Sequence, residues 1–202
     1  MALCIGIAGG TGSGKSALAQ RLREHFPERS VIIECDWYYR DLRHLAFQKR
    51  LQTNFDHPEA LELDLLFDHV QRLLHGLPVQ VPQYDFTQHI RCEKTRCVEP
   101  RELIIVEGIH ALTDERLRGL YALRIYLDVP ADIRLARRIQ RDILTRGRSV
   151  ESIVGQYLRH VRPMHEQFVE PCKAYADIVL AGEQFSARDV ADLVQRLRRS
   201  LG

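Results

Sequence analysis

Eight residues near the amino terminus, Gly9-Gly10-Thr11-Gly12-Ser13-Gly14-Lys15-Ser16, restrict the possible folds of this chain more than any other segment. They complete the pattern G-x-x-x-x-G-K-[ST], which works only between a buried strand and the start of a helix. Both flanks are present. Leu3–Ala8 is a short apolar run of strand length, and Lys15–Phe26 carries Ala17, Leu18, Leu22 and Phe26 at helical spacing. The glycines let backbone N–H groups converge on phosphate oxygens, and the helix start adds its positive dipole end. Lys15 is long enough to reach the β- and γ-phosphates of a nucleotide, and the Ser16 hydroxyl suits Mg²⁺.

The remaining chain alternates the two patterns. Ser30–Cys35, Leu103–Val106, Leu123–Val129 and Ile178–Leu180 are strand-like apolar runs. Leu61–Leu74, an arginine-rich stretch from Ala131, Val150–His165 and Arg188–Leu201 have helical spacing. Strands alternating with helices predict an α/β fold, a parallel sheet with helices on both faces. Val79–Cys97 alternates only weakly and contains Pro82, which predicts a small hairpin outside that sheet. At 202 residues the chain is the size of one domain, 1–202, with room for the hairpin at about 79–97 and a lid at about 142–150.

A phosphate loop does not choose a reaction by itself. No N-K-x-D guanine-reading motif and no L-S-G-G-Q signature occurs. Glu107 ends the LIIV strand, where a carboxylate would help hold a metal ion or cap the next turn. Asp36 comes after the second strand and faces the same end of the sheet. It could accept a proton from an attacking hydroxyl or cap the start of the next element. Trp37, Tyr38 and Tyr39 suit either a pocket wall or the core. Asp56 could accept two hydrogen bonds from a sugar diol. Tyr84 and His89 offer groups that read a nucleobase edge.

Arg134, Arg138 and Arg141 fall close to one helical face, and Arg146-Gly147-Arg148 breaks that helix. They form either a lid that closes over phosphates or a solvated basic face paired with Asp132 and Asp142. Only Lys15, Lys49, Lys94 and Lys173 are lysines among 29 basic residues, a bias that fits phosphate contacts and also a GC-rich genome. With 27 acidic residues the formal charge is +2, which argues against a nucleic-acid backbone as the main partner. No apolar run reaches 18 residues, no signal peptide is evident, and five irregularly spaced cysteines suit reduced thiols. A cytoplasmic protein without a membrane partner is expected.

Taken together, GGTGSGKS at 9–16, DWYY at 36–39, NFDHPEAL at 54–61, PQYDFTQHIR at 82–91, VEGIHAL at 106–112, RRIQRDILTRGR at 137–148 and RPMHEQFVEPCKAYADIVL at 162–180 resemble the phosphoribulokinase/uridine kinase family, specifically its uridine-cytidine kinases. The resemblance covers about residues 3–180. It implies phosphorylation of the 5′-hydroxyl of uridine and cytidine by ATP or GTP with Mg²⁺, in pyrimidine salvage, and a homotetramer. It implies that Asp36 is the base, with Lys15 and Arg141 also catalytic. Residues Gly9 to Ser16, with Arg141, Arg146 and Arg148, would hold the nucleotide phosphates. Ser16 and Glu107 would serve the metal. Asp56 and Arg138 would hold the ribose, Tyr84 and His89 would read the base, and Tyr39, Phe55 and Gln156 would complete the nucleoside pocket.

Two features depart from the family pattern. Ala181–Phe185 replaces a proline and a basic turn, and Trp37 stands where a smaller side chain is common and would narrow the pocket. Two rivals remain open from sequence. One is a related kinase acting on a sugar phosphate or pantothenate. The other is a non-catalytic regulatory or RNA-binding protein.

Overall fold

The computed structural model describes residues 2–202. Strands β1 (Leu3–Gly9), β2 (Ser30–Glu34), β7 (Leu103–Glu107), β8 (Leu123–Asp128) and β9 (Ile178–Ala181) form one parallel sheet in the order β2-β7-β1-β8-β9. This is the α/β architecture expected from the alternation of patterns. Because a parallel sheet is covered on both faces, its strands are apolar on both. Cys4, Ala8, Ile104 and Val106 face one cluster, which is closed by α3 (Leu63–Leu74) and α4 (Glu115–Leu120). Ile5, Ile7, Ile105 and Ile125 face the other, closed by α1 (Lys15–His25) and α8 (Ala187–Leu201).

Between α3 and β7 the chain leaves the sheet. Strands β3 (Val79–Val81) and β6 (Arg96–Val98) pair antiparallel, and so do β4 (Tyr84–Asp85) and β5 (Ile90–Arg91). The excursion is thus two nested ribbons rather than one continuous hairpin. Arg91 fastens it to the body with a bond to Glu62 at 2.8 Å and one to the Tyr38 carbonyl at 3.2 Å. A short helix, α2 (Phe47–Leu51), forms between β2 and α3.

Helix α5 (Ala131–Arg146) ends at Gly147, whose φ of 60° is left-handed and favours glycine. Ser149 caps α6 (Val150–Gln156) by accepting from the Ser152 amide at 3.2 Å. The single helix expected over Val150–His165 does not continue regularly. Wide π-turns at Tyr157–Val161 and His165–Val169 flank α7 (Arg162–Met164), and 3-10 turns continue to Tyr175. Pro163 and Pro171 remove two amide donors from this run, consistent with its departure from α-helical bonding. No helix among the described residues is long and apolar enough to cross a membrane.

Candidate active site

The phosphate loop joins β1 to α1. At Gly12, φ is 78° and the Arg134 carbonyl lies where a Cβ would go, so only glycine fits. Gly14, at φ 94°, occupies the cap position of α1 without a side-chain cap, leaving the first amides of the helix free to bind an anion. The Lys15 ammonium is buried and donates to the Gly10 carbonyl at 3.0 Å. Ser13 Oγ is buried in the loop without a partner among the described residues.

Parallel pairing of β1 with β7 sets Ile7 opposite Glu107, which brings the end of the LIIV strand beside the loop. There Ser16 Oγ donates to Glu107 Oε1 at 2.7 Å. A hydroxyl and a buried carboxylate side by side form the hard-oxygen donor set that Mg²⁺ prefers, so the residues present fit that ion. Burial raises the Glu107 pKa against the pull of Lys15 and the Ser16 bond. Burial lowers that of Lys15 against the attraction of Glu107 and Asp36. Glu34, opposite Glu107 on the neighbouring strand, is pushed up to about 7 by burial and then by repulsion from Glu107 and Asp36.

Asp36 lies in a 3-10 turn, Cys35–Tyr38, at the same end of the sheet. Its carboxylate takes no hydrogen bond from a described residue, so it does not act as the cap that the sequence left open. Its charge is felt at Lys15 on one side and at Asp56 on the other. Next to it, the Tyr39 ring meets Phe55 edge-on at 5.4 Å and Tyr84 at 5.3 Å, and His89 stacks on Phe55 at 4.9 Å. Four residues from separated segments therefore form one aromatic wall. His89 adopts a φ of 52°, an uncommon conformation for a non-glycine residue, at the turn between β4 and β5. Burial and then Arg148 and Arg146 lower its pKa, which favours the neutral imidazole. Asp56 is buried, which raises its pKa, while Arg138 nearby lowers it.

The arginines of α5 divide between the sequence alternatives. Arg134 and Arg138 are buried, so the helix face is not simply solvated. Arg138 donates to Thr11 Oγ1 of the phosphate loop at 3.1 Å and to Gln156 at 2.8 Å. Arg148 donates to the same Gln156 oxygen at 2.6 Å, so Gln156 ties the two arginines together. Arg146 lies over the Phe86 ring at 5.3 Å, linking the end of α5 to the excursion. Asp142 is the acidic partner of this group, whereas Asp132 makes no ion pair with a described residue.

Trp37 corrects an expectation. It does not join the Tyr39–Phe55 wall and cannot narrow it. It packs under Arg96, 4.2 Å from the guanidinium, in a separate cleft of about 680 Å³ beside the edge strand β2. The turn that carries residues 35–38 sends Tyr38 into the core, where its hydroxyl meets His69 at 3.0 Å. The fold adds two contacts that the sequence does not show. His110, within VEGIHAL, is fully buried and bonds the Asp56 carbonyl through Nε2 at 2.9 Å. Arg134 places its guanidinium against Gly10, under the loop. Arg134 already stands out among the arginines of its helix face, but its place under the loop is seen only in the fold.

The model of the phosphoribulokinase/uridine kinase family matches residues 4–190. The chain belongs to this family. A uridine kinase of Geobacillus sp. (strain WCH70) is 52% identical over 177 residues, covering 87% of this chain and 84% of that one. A uridine kinase of Geobacillus kaustophilus is 48% identical over 200 residues, covering 98% and 94%. Among solved structures, a putative fructose transport system kinase from Silicibacter sp. TM1040 is 26% identical with a TM-score of 0.67, over 89% of this chain and 90% of that one. The family thus agrees with the resemblance carried by the motifs.

Proposed function

We propose that the chain phosphorylates the 5′-hydroxyl of uridine, and of cytidine, at the expense of ATP or GTP. The observation that carries this reading is the position of Asp36 between the phosphate loop and the aromatic wall, close enough to Lys15 and Asp56 to act on both electrostatically. The uridine kinase relatives support the same substrate class.

In this reading the nucleoside lies against Tyr39, Phe55, Tyr84 and His89, with its ribose diol on Asp56 and Arg138. A neutral His89 can donate to uracil O4 or accept from the cytosine amino group. Asp36 takes the proton of the 5′-hydroxyl. The oxygen then forms a bond to the γ-phosphorus while the bond from that phosphorus to the β–γ bridging oxygen breaks, releasing the nucleoside diphosphate. Lys15, Arg141, Arg146 and Arg148 face the charge that develops on the transferred group. Ser16 and Glu107 would hold Mg²⁺, which would supply positive charge against the nucleotide phosphates. The whole chain acts as one kinase domain with a lid at its 142–150 arginine turn. A cytoplasmic homotetramer is the assembly that the family resemblance implies.

A coupled assay of nucleoside-dependent ADP release tests this, run over uridine, cytidine, their 2′-deoxy forms and adenosine. Uridine and cytidine are expected to be turned over within about a hundredfold of each other in kcat/KM, with the deoxy forms poorer. ATP binding without nucleoside-stimulated release would overturn the reading in favour of a non-catalytic protein.

A further inference from the structure

Asp142 is a carboxylate with no exposed surface, and four guanidinium groups surround it. Arg141 donates to Oδ1 through Nε at 2.9 Å, and its Nη2 lies 2.8 Å from the same oxygen. Arg148 Nη1 reaches Oδ2 at 3.4 Å, Arg138 Nε lies 3.8 Å from the same oxygen, and Arg146 Nη1 lies 3.9 Å from Oδ1. The main chain adds to this. The Asp142 carbonyl accepts from the amides of Gly147 and Arg148, so the same residue closes the helix and begins the turn after it.

One negative charge thus stands against four positive ones. Without it the four guanidinia repel one another in a partly desolvated space, where solvent screens charges only weakly. Each guanidinium has five N–H donors, and the Asp142 carboxylate accepts one from Arg141 and one from Arg148. Arg141 can therefore be held and still present its remaining donors, whereas the Arg148 fork is fixed further by donating to Gln156 through Nη1 and to Ser152 through Nη2. Their side chains keep 43% and 25% exposure.

We infer that Asp142 is the positioning residue of the arginine lid: it fixes Arg141, Arg146 and Arg148 in the arrangement that meets the phosphates, with Arg138 held beside them, without itself touching substrate. This rests on the proposed kinase reading and extends it to a residue with no direct chemical role.

The test is a double-mutant cycle in the uridine-dependent assay, with the active fraction measured by ATP-analogue titration. Asp142→Asn keeps the shape and removes the charge. It is expected to lower kcat at least about tenfold in the parent while leaving the KM for uridine within about threefold. In an Arg141→Met background, which has already lost the closest partner, the same change is expected to cost less than about threefold. An equal loss in both backgrounds, or a kcat within about twofold of the parent, would overturn the inference, because a purely structural role lowers melting temperature without this coupling. If Asp142→Asn does not fold, ¹⁵N relaxation and exchange of arginine Nε–H groups decide the matter on the unmodified protein. Arg141 and Arg148 are expected to rotate slowly both without and with a non-hydrolysable ATP analogue, compared with Arg188, whose side chain is 91% exposed. Rotation as fast as that of Arg188 would refute the positioning role. A parent that shows no uridine turnover would instead refute the kinase reading and leave the arginine measurement independent of it.

Discussion

Ser16 and Glu107 are 91 residues apart in the chain, yet the serine hydroxyl donates to the Glu107 carboxylate at 2.7 Å. The contact exists because β1 and β7 run parallel in register, with Ile7 opposite Glu107, so the loop after one strand meets the end of the other. It places two oxygens of the type that binds Mg²⁺ directly beside the lysine of the phosphate loop.

Glu107→Gln retains an oxygen for the Ser16 bond and removes the negative charge. Turnover is expected to fall about 10²-fold or more, and the Mg²⁺ concentration for half-maximal activity to rise. A magnesium titration of both proteins checks this. An unchanged half-saturation would remove Glu107 from the metal site.

Asp36→Asn is expected to leave ATP-analogue affinity within about threefold and to lower kcat by about 10²–10⁴. Single-turnover phosphoryl transfer with saturating uridine measures the chemical step directly. Near-parental rates would deny Asp36 the role of base.

His110 carries a prediction about acid stability. Burial lowers its pKa to about 4, below its ordinary value of 6.5. The folded state therefore resists protonation, and the unfolded state binds the proton first. Stability is fully present above about 6.5, falls as the pH drops from there to about 4, and levels off below. By the linkage relation this costs about 3 kcal/mol in total. Urea midpoints measured across that window should show the slope, and His110→Gln, which keeps a donor for the Asp56 carbonyl, should flatten it. An unchanged slope would assign the acid sensitivity to other groups.

Glu34 predicts the opposite trend. Its pKa rises from 4.5 to about 7, so the folded state holds the proton longer than the unfolded one. Its ionisation therefore removes stability as the pH climbs from about 4.5 to 7. Glu34→Gln is expected to raise the urea midpoint at pH 8 and to change it little at pH 5. A lower midpoint at pH 8 would mean that the ionised Glu34 has a favourable partner.

Much of the fold is visible in the sequence because its signals are local. An apolar run of strand length before Gly9-Gly10 and helical spacing after it place β1 and α1 to within a residue or two. The sheet order is not visible, because pairing of β1 with β7 and β8 is a property of the packed layers rather than of any segment. At the site, the phosphate loop, Asp36 and Glu107 carry motif or strand-end signals. The aromatic wall is legible only through the family resemblance and not from local spacing, because Tyr39, Phe55, Tyr84 and His89 become neighbours only when the excursion folds over the 3-10 turn. Trp37 departs from its expected place because a 3-10 turn sends successive side chains in different directions, a rotation that composition does not reveal. His110 stays hidden because it acts through a backbone carbonyl, which leaves no trace in side-chain chemistry.

Helix α5 extends about 24 Å along its 16 residues. Arg134 lies under the phosphate loop at one end, Arg138 reaches Thr11 part-way along, and Arg141 and Arg146 surround Asp142 at the other. A rigid rod thus sets the distance between the floor of the phosphate loop and the arginines gathered around Asp142. Adding one residue before Arg138 would turn every later side chain by about 100° and displace all of them at once. The length of this helix is consequently as constrained as the identity of its arginines. Natural variation should therefore lengthen the loops at either end and leave the rod between Arg134 and Arg146 the same number of residues.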